Sequence, residues 1–114
     1  PVGSALTVEF ELFGQNYMGL NGGPLFKFSE AVSLVIDCED QAELDRYWDA
    51  LTEGGEESQC GWLKDKFGFS WQIVPKRLNE LMSGPDPVKT QKLVHAMLQM
   101  KKLDIAALEA AYNS

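Results

Sequence analysis

A chain of 114 residues supplies one small hydrophobic core, so a single domain that gains from a partner subunit is the expected scale. Its net charge of -7 disfavours nucleic-acid backbones and anionic membrane surfaces as partners, because both repel an acidic chain at long range. No apolar run is long enough to cross a bilayer and none reads as a secretory leader, so Cys38 and Cys60 are expected to be free thiols of a cytoplasmic protein.

Leu6, Val8, Phe10 and Leu12 alternate with Thr7, Glu9 and Glu11, the period-two signature of a strand with one wet face. Gly14-Gln15-Asn16 supplies a turn, Tyr17 to Asn21 returns as a second strand, and Gly22-Gly23-Pro24 breaks the hairpin. The β-branched run from Ala31 to Ile36 predicts a third strand, buried on both faces or nearly so. Asp40 caps a helix, and Glu43 three residues on makes an acidic version of the capping box. Leu44, Tyr47, Trp48 and Leu51 then recur at helical spacing until Gly54-Gly55, and that face is expected to bury against a sheet.

From Cys60 to Ile73 the pattern is a second hairpin, with Asp65-Lys66-Phe67-Gly68 as its turn. Phe69, Trp71 and Ile73 alternate with Ser70 and Gln72, so one face of its second strand is apolar and the other polar. Pro75 opens a short helix carrying Leu78, Leu81 and Met82, which Ser83-Gly84-Pro85 stops. Asp86-Pro87 starts another, striped by Leu93, Ala96, Met97 and Met100, and Asp104 caps a last one carrying Ile105, Leu108 and Tyr112. Strands, helix, strands and then helices make an α+β plan.

Few residues call for chemistry. His95, the only histidine, stands mid-helix with no ligand partner at metal spacing, and a packing or solvent-facing role outweighs a catalytic one. Asn21-Gly22-Gly23-Pro24 opens no helix, which makes it a poor dinucleotide or methyl-donor turn. Glu9 and Glu11 share a strand face as an acid and base pair would, yet a solvated sheet face is the simpler reading. Trp48, Trp62, Trp71, Tyr17, Phe10, Phe13, Phe67 and Phe69 suffice for a core and for a ligand cavity. No catalytic residue is assigned.

The order strand, helix, glycine stop and hairpin ending in Trp71-Gln72-Ile73 resembles the second βαβββ module of the vicinal oxygen chelate superfamily, which includes glyoxalase I, extradiol dioxygenases and bleomycin-resistance proteins. Leu20-Asn21-Gly22-Gly23, Glu56-Glu57-Ser58-Gln59-Cys60-Gly61-Trp62, Asp65-Lys66-Phe67-Gly68, Ser70-Trp71-Gln72-Ile73 and the stretch Met97 to Tyr112, with Leu103-Asp104-Ile105-Ala106, are most similar to its PhnB-like branch. That branch carries the label 3-demethylubiquinone-9 3-methyltransferase. The resemblance implies βαβββ modules in a curved mixed sheet over residues 1–74, the first incomplete and the second from about 31, with a C-terminal helical extension over residues 75–114. Superfamily members open with a further strand and helix ahead of the position of Leu6. Their absence implies an open sheet edge and a homodimer that completes the sheet across subunits.

Metal-dependent members hold their cation on His and Glu, and the last ligand position falls on Gln72 in a chain with no His on any strand. The resemblance thus implies a protein with no metal and no cofactor. The leading expectation is a small, partly apolar ligand in an aromatic cavity drawn from Phe10, Cys60, Trp62, Trp71 and Gln72. Two alternatives stand beside it: methyl transfer of the kind the branch label names, and an interaction role for the helix face of Met97 and Met100.

Overall fold

The computed structural model describes residues 3–114. Strands β1 (Thr7–Leu12) and β2 (Gln15–Leu20) pair antiparallel as a sheet of their own. Their turn is Phe13-Gly14, at φ 52° and 80°, so the second strand starts earlier than the Gly14-Gln15-Asn16 turn implied. Both φ values are positive, as a two-residue hairpin turn requires, a conformation that Gly14 adopts freely and Phe13 does not. The register sets Phe10 opposite Tyr17 and Glu9 opposite Met18. Val8, Phe10, Leu12 and Tyr17 therefore share one face, and Glu9, Glu11 and Met18 the other. The wet face was expected, but the apolar face is uncovered as well: Val8 is 55% exposed.

Strands β3 (Ser33–Cys38), β4 (Glu56–Glu57), β5 (Trp62–Lys64) and β6 (Ser70–Pro75) make a second sheet in the order β3-β6-β5-β4. β3 runs parallel to β6, and the other pairs are antiparallel. Helix α1 (Gln41–Thr52) carries the chain off the end of β3, which lets β6 return alongside it in the same direction. Asp40 begins that helix as expected, its Oδ1 accepting from the Glu43 N–H at 2.8 Å. β4 has no strand pattern in the sequence. It is two glutamates, held by pairing with β5 and by Trp48 Nε1 donating to Glu57 at 3.4 Å.

Leu44 and Trp48 of α1 pack on Ile36, Cys38, Leu63 and Ile73, which alternate along β3, β5 and β6. Helices α2 (Lys76–Met82), α3 (Pro87–Leu98) and α4 (Ile105–Asn113) join the same core through Leu78, Leu81, Leu93 and Leu108. Asp86 and Asp104 cap the last two, as their positions predicted. All helices share the α1 side, and this corrects the reading of β3. Ile36 and Cys38 are buried, whereas Val35 between them is 53% exposed. A parallel strand is buried on both faces when helices flank both sides of its sheet, and here they flank one.

Two ties join the C-terminal helices to the sheet layer. Gln41, first residue of α1, accepts from the Ile105 N–H at 2.8 Å and donates through Nε2 to Leu103 O at 3.0 Å and Asp45 Oδ1 at 2.9 Å. Ahead of β5, the Cys60 and Gly61 N–H groups donate to Met100 O and Lys101 O, each at 2.8 Å. The hairpin has no such tie. Neither of its strands packs extensively on another element, and its tip meets α1 where Phe13 tilts toward Tyr47 at 6.3 Å. The radius of gyration is accordingly 17.2 Å, against about 13 Å for a compact domain of this length.

Replacing Gln41 with Ala leaves two backbone groups at the start of α4 without partners. We expect a loss of about 2 kcal/mol in urea unfolding, with faster amide exchange at Ile105. Cys38 gives a second test, because burial, aided by the Glu43 and Asp37 charges, pushes its thiol up to about 11 from 9.0. The folded value lies above the unfolded one, so the neutral thiol's contribution is complete below pH 9 and disappears as pH rises toward 11. Unfolding midpoints should fall across that window in the native chain and fall less in Cys38→Ala.

Candidate functional site

The site begins with the alternation along β6. Trp71 and Ile73 point toward α1, so Ser70 and Gln72 point to the face that no helix covers. Strand register then sets out rows on that open face. In the first, Ser33, Ser70, Lys64 and Glu56 lie side by side across β3, β6, β5 and β4. In the second, one step along the strands, stand Val35, Gln72 and Trp62. Gln72 Nε2 donates to Ser33 Oγ at 2.9 Å, a diagonal bond that ties the two rows together.

The first row has two further features. Lys64 Nζ pairs with the carboxylate of Glu30, on the segment that leads into β3. That bond holds the Glu30 carboxyl below the usual range and raises the Lys64 ammonium above it. Between Lys64 and Ser33, Ser70 is 1% exposed and its hydroxyl has no hydrogen-bond partner in the described structure. Buried hydroxyls without partners are rare, because each forfeits its bonds to water.

Of the residues expected to line one cavity, Trp62 and Gln72 stand together as cross-strand neighbours. Trp71 does not join them. It is opposite Leu63 on the α1 side, its Nε1 donating to Asp65 Oδ2 at 2.9 Å and its ring edge-on to Phe69 at 5.7 Å. Adjacent residues of a strand face opposite ways, so Trp71 and Gln72 cannot share a wall of one cavity. Cys60 lies off the strands, at φ 58°, in the loop whose backbone meets Met100. Phe10 is on the separate hairpin, stacked on Tyr17 at 5.5 Å, beside an open surface groove lined by Glu9, Glu11, Asn16 and Met18.

Ser33, Lys64 and Glu30 were not singled out from the sequence. The alternation announced a polar face at Ser70 and Gln72, but only the pairing of β6 with β3 and β5 brings the other side chains beside them. Among the described residues no three His, Cys, Asp or Glu side chains come together. Gln72 offers a neutral amide already engaged with Ser33. His95 is on α3, beside a groove with Val88, Gln91, Lys92 and Ala111. The glycines after β2 lead through bends into β3 with no intervening helix, so they do not form a strand-loop-helix donor turn.

An open mixed sheet with α1 on one side and further helices after it places the chain among PhnB-like α+β proteins. The family model for 3-demethylubiquinone-9 3-methyltransferase matches residues 1–74, and the chain belongs to that family. It is similar to a PhnB protein from Bacillus cereus, provisionally described as a 3-demethylubiquinone-9 3-methyltransferase, with 30% identity and a TM-score of 0.57 over 61% of this chain and 64% of that one. A crystal structure of a protein from Pseudomonas aeruginosa shares the fold at 20% identity and a TM-score of 0.53, over 61% of this chain and 62% of the other. The chain thus spans less than two thirds of either. No curated protein matches it.

Asp65 organises the turn that presents β6. Its Oδ1 accepts from the Phe67 and Phe69 N–H groups at 2.9 and 3.1 Å, while Oδ2 holds Trp71. Asp65→Ala is expected to cost about 2 kcal/mol of unfolding free energy and to shift the near-ultraviolet signal of Trp71.

Proposed function

We propose that this chain is a binding protein for a small, partly apolar molecule, held on the open sheet face between Trp62, Gln72 and Val35, and that a second copy of the chain closes the site. The observation that carries this reading is the pairing of two incomplete surfaces. A mixed polar and aromatic sheet face is covered by no helix, and an apolar hairpin face has nothing to cover.

The hairpin argues for a partner by area. Leu6, Val8 and Phe10 on one face of the hairpin, Met18 and Leu20 on the other, and Leu25, Phe26 and Phe28 after it are all exposed. At on the order of 100 Å² per side chain they offer about 800 Å², what one partner of a standard interface buries. An isolated two-stranded hairpin is marginal in water, and exposed apolar surface of this extent marks an interface. A second copy is the natural occupant, because β3 is an edge strand beside the open face and a two-fold exchange of hairpins would cover both copies. Phe10 and Tyr17 of one copy would then face Trp62 and Gln72 of the other. No described helix is long and apolar enough to cross a membrane.

The family's name favours a second reading, methyl transfer. β3 reaches α1 through Glu39 and Asp40 with no glycine, and Gly22-Gly23 precede no helix, so the turn used by methyl-donor sites of the common kind is not built. No step is derived through a donor. The face of Met97 and Met100 supports no docking role, since both pack against the core beside the fully buried Leu93.

Benzamide, a neutral aromatic probe, should saturate a dimeric protein and change its tryptophan fluorescence. Trp62→Ala should weaken it about tenfold, in keeping with loss of an aromatic contact and its buried area. Phe10→Asp should yield monomers in native mass spectrometry and lose binding. A monomeric native protein, or no saturable binding, would overturn the proposal, and heat on titration with S-adenosylmethionine would favour the second reading instead.

A further inference from the structure

We infer that the row Ser33, Ser70 and Lys64 receives an oxyanion of the bound molecule, a carboxylate or a phosphate, and that Glu30 occupies this receptor as an internal stand-in until the ligand displaces it. The inference rests on the open sheet face being the binding site.

Ser33, Ser70 and Lys64 can each donate, and Glu56 ends the row as a carboxylate. Ser33 Oγ already accepts from Gln72, which leaves its own hydrogen free to point outward. Ser70, fully buried with no partner, has a donor and nothing to give it to. Lys64 brings three N–H groups. Neighbouring strands are about 4.8 Å apart, so three strands place these donors within about 10 Å, with Ser70 in the middle. Three donors side by side, one of them cationic, match an oxygen-rich anion, and an anion seated there would also give the unpartnered Ser70 hydroxyl an acceptor.

Glu30 marks the spot. It lies outside the sheet, yet its carboxylate reaches Lys64, although Glu56 lies directly opposite Lys64 in the ladder. With Glu30 63% and Lys64 32% exposed at the side chain, the pair is open to water and readily exchanged. A ligand carboxylate that takes Lys64 from Glu30 would also reach Ser70, which Glu30 leaves unbonded. The second row lies about 6.8 Å further along the strands, where Val35 and Trp62 can take an apolar body. The receptor therefore suits a small aromatic or aliphatic acid.

The test compares benzoate with benzamide, the same ring with and without the charge, on the full chain, followed by tryptophan fluorescence and by backbone amide shifts of Ser33 and Ser70. Benzoate should bind about tenfold tighter than benzamide. Glu30→Gln removes the stand-in and should tighten benzoate roughly threefold to tenfold, leaving benzamide unchanged. Ser70→Ala and Lys64→Met should each weaken benzoate about tenfold and benzamide less than about twofold. Inorganic phosphate that competes with benzoate widens the receptor to oxyanions in general, and phosphate that does not narrows it to carboxylates. Equal affinity for the two ring probes, or no gain in Glu30→Gln, overturns the oxyanion receptor while the binding face stands. If neither probe binds the native chain or any variant, both fall. Glu30→Gln alters an exposed side chain, so the test survives even where Ser70→Ala or Lys64→Met fails to fold.

Discussion

One layer of helix on one face of a sheet is the constraint from which the remaining features follow. Leu44 and Trp48 seat α1 on Ile36, Cys38, Leu63 and Ile73, and because a strand alternates, that packing commits every intervening residue to the opposite side. Gln72, Trp62, Lys64, Ser33 and Val35 are exposed or half covered for this reason, not because the chain is polar there, and Ser70 among them is buried without a hydrogen-bond partner. Val35 and Trp62 are apolar on a face without a second layer, and a sheet face of that kind is ordinarily completed by something else.

The two ends of the chain meet this constraint differently. The C-terminal helices are drawn into the α1 core by leucines and fastened by Gln41, whose single side chain satisfies a carbonyl and an N–H at the entry to α4. The loop before β5 is fastened to the same junction through Cys60 and Gly61, with Cys60 accepting a left-handed backbone to do so. The hairpin at the other end keeps its backbone bonds but buries neither face. Local hydrogen bonding suffices to draw two strands, whereas their stability requires a third surface, and within one described chain there is none.

Family membership is carried by residues 1–74, the part that includes the open sheet and the hairpin. The residues that could do chemistry in this chain are few and mostly donors: hydroxyls of Ser33 and Ser70, the Gln72 amide and the Lys64 ammonium. Such a set is suited to binding and orienting a hydrogen-bond acceptor. It holds no nucleophile paired with a base, and Glu9 and Glu11, the only strand-borne carboxylates on one face of β1, point away from Phe10.

Local signals in the chain were sufficient for the caps at Asp40, Asp86 and Asp104, for α1 to α4 and for five of the six strands, because capping, helical spacing and two-residue alternation act over a few neighbours. They also contained the separation of Trp71 from Gln72, since adjacent strand residues must diverge. What they could not contain was anything that depends on which strands become neighbours: β4, a pair of glutamates made a strand only by β5; the exposure of Val35, decided by helices falling on one side; and the arrival of Ser33 beside Ser70 and Lys64, since those two share the β5-β6 hairpin while Ser33 joins them only through the parallel pairing of β3 with β6. Local preference is a property of short segments, while burial and side-chain company are properties of the layers those segments form, and only the tertiary arrangement assigns them.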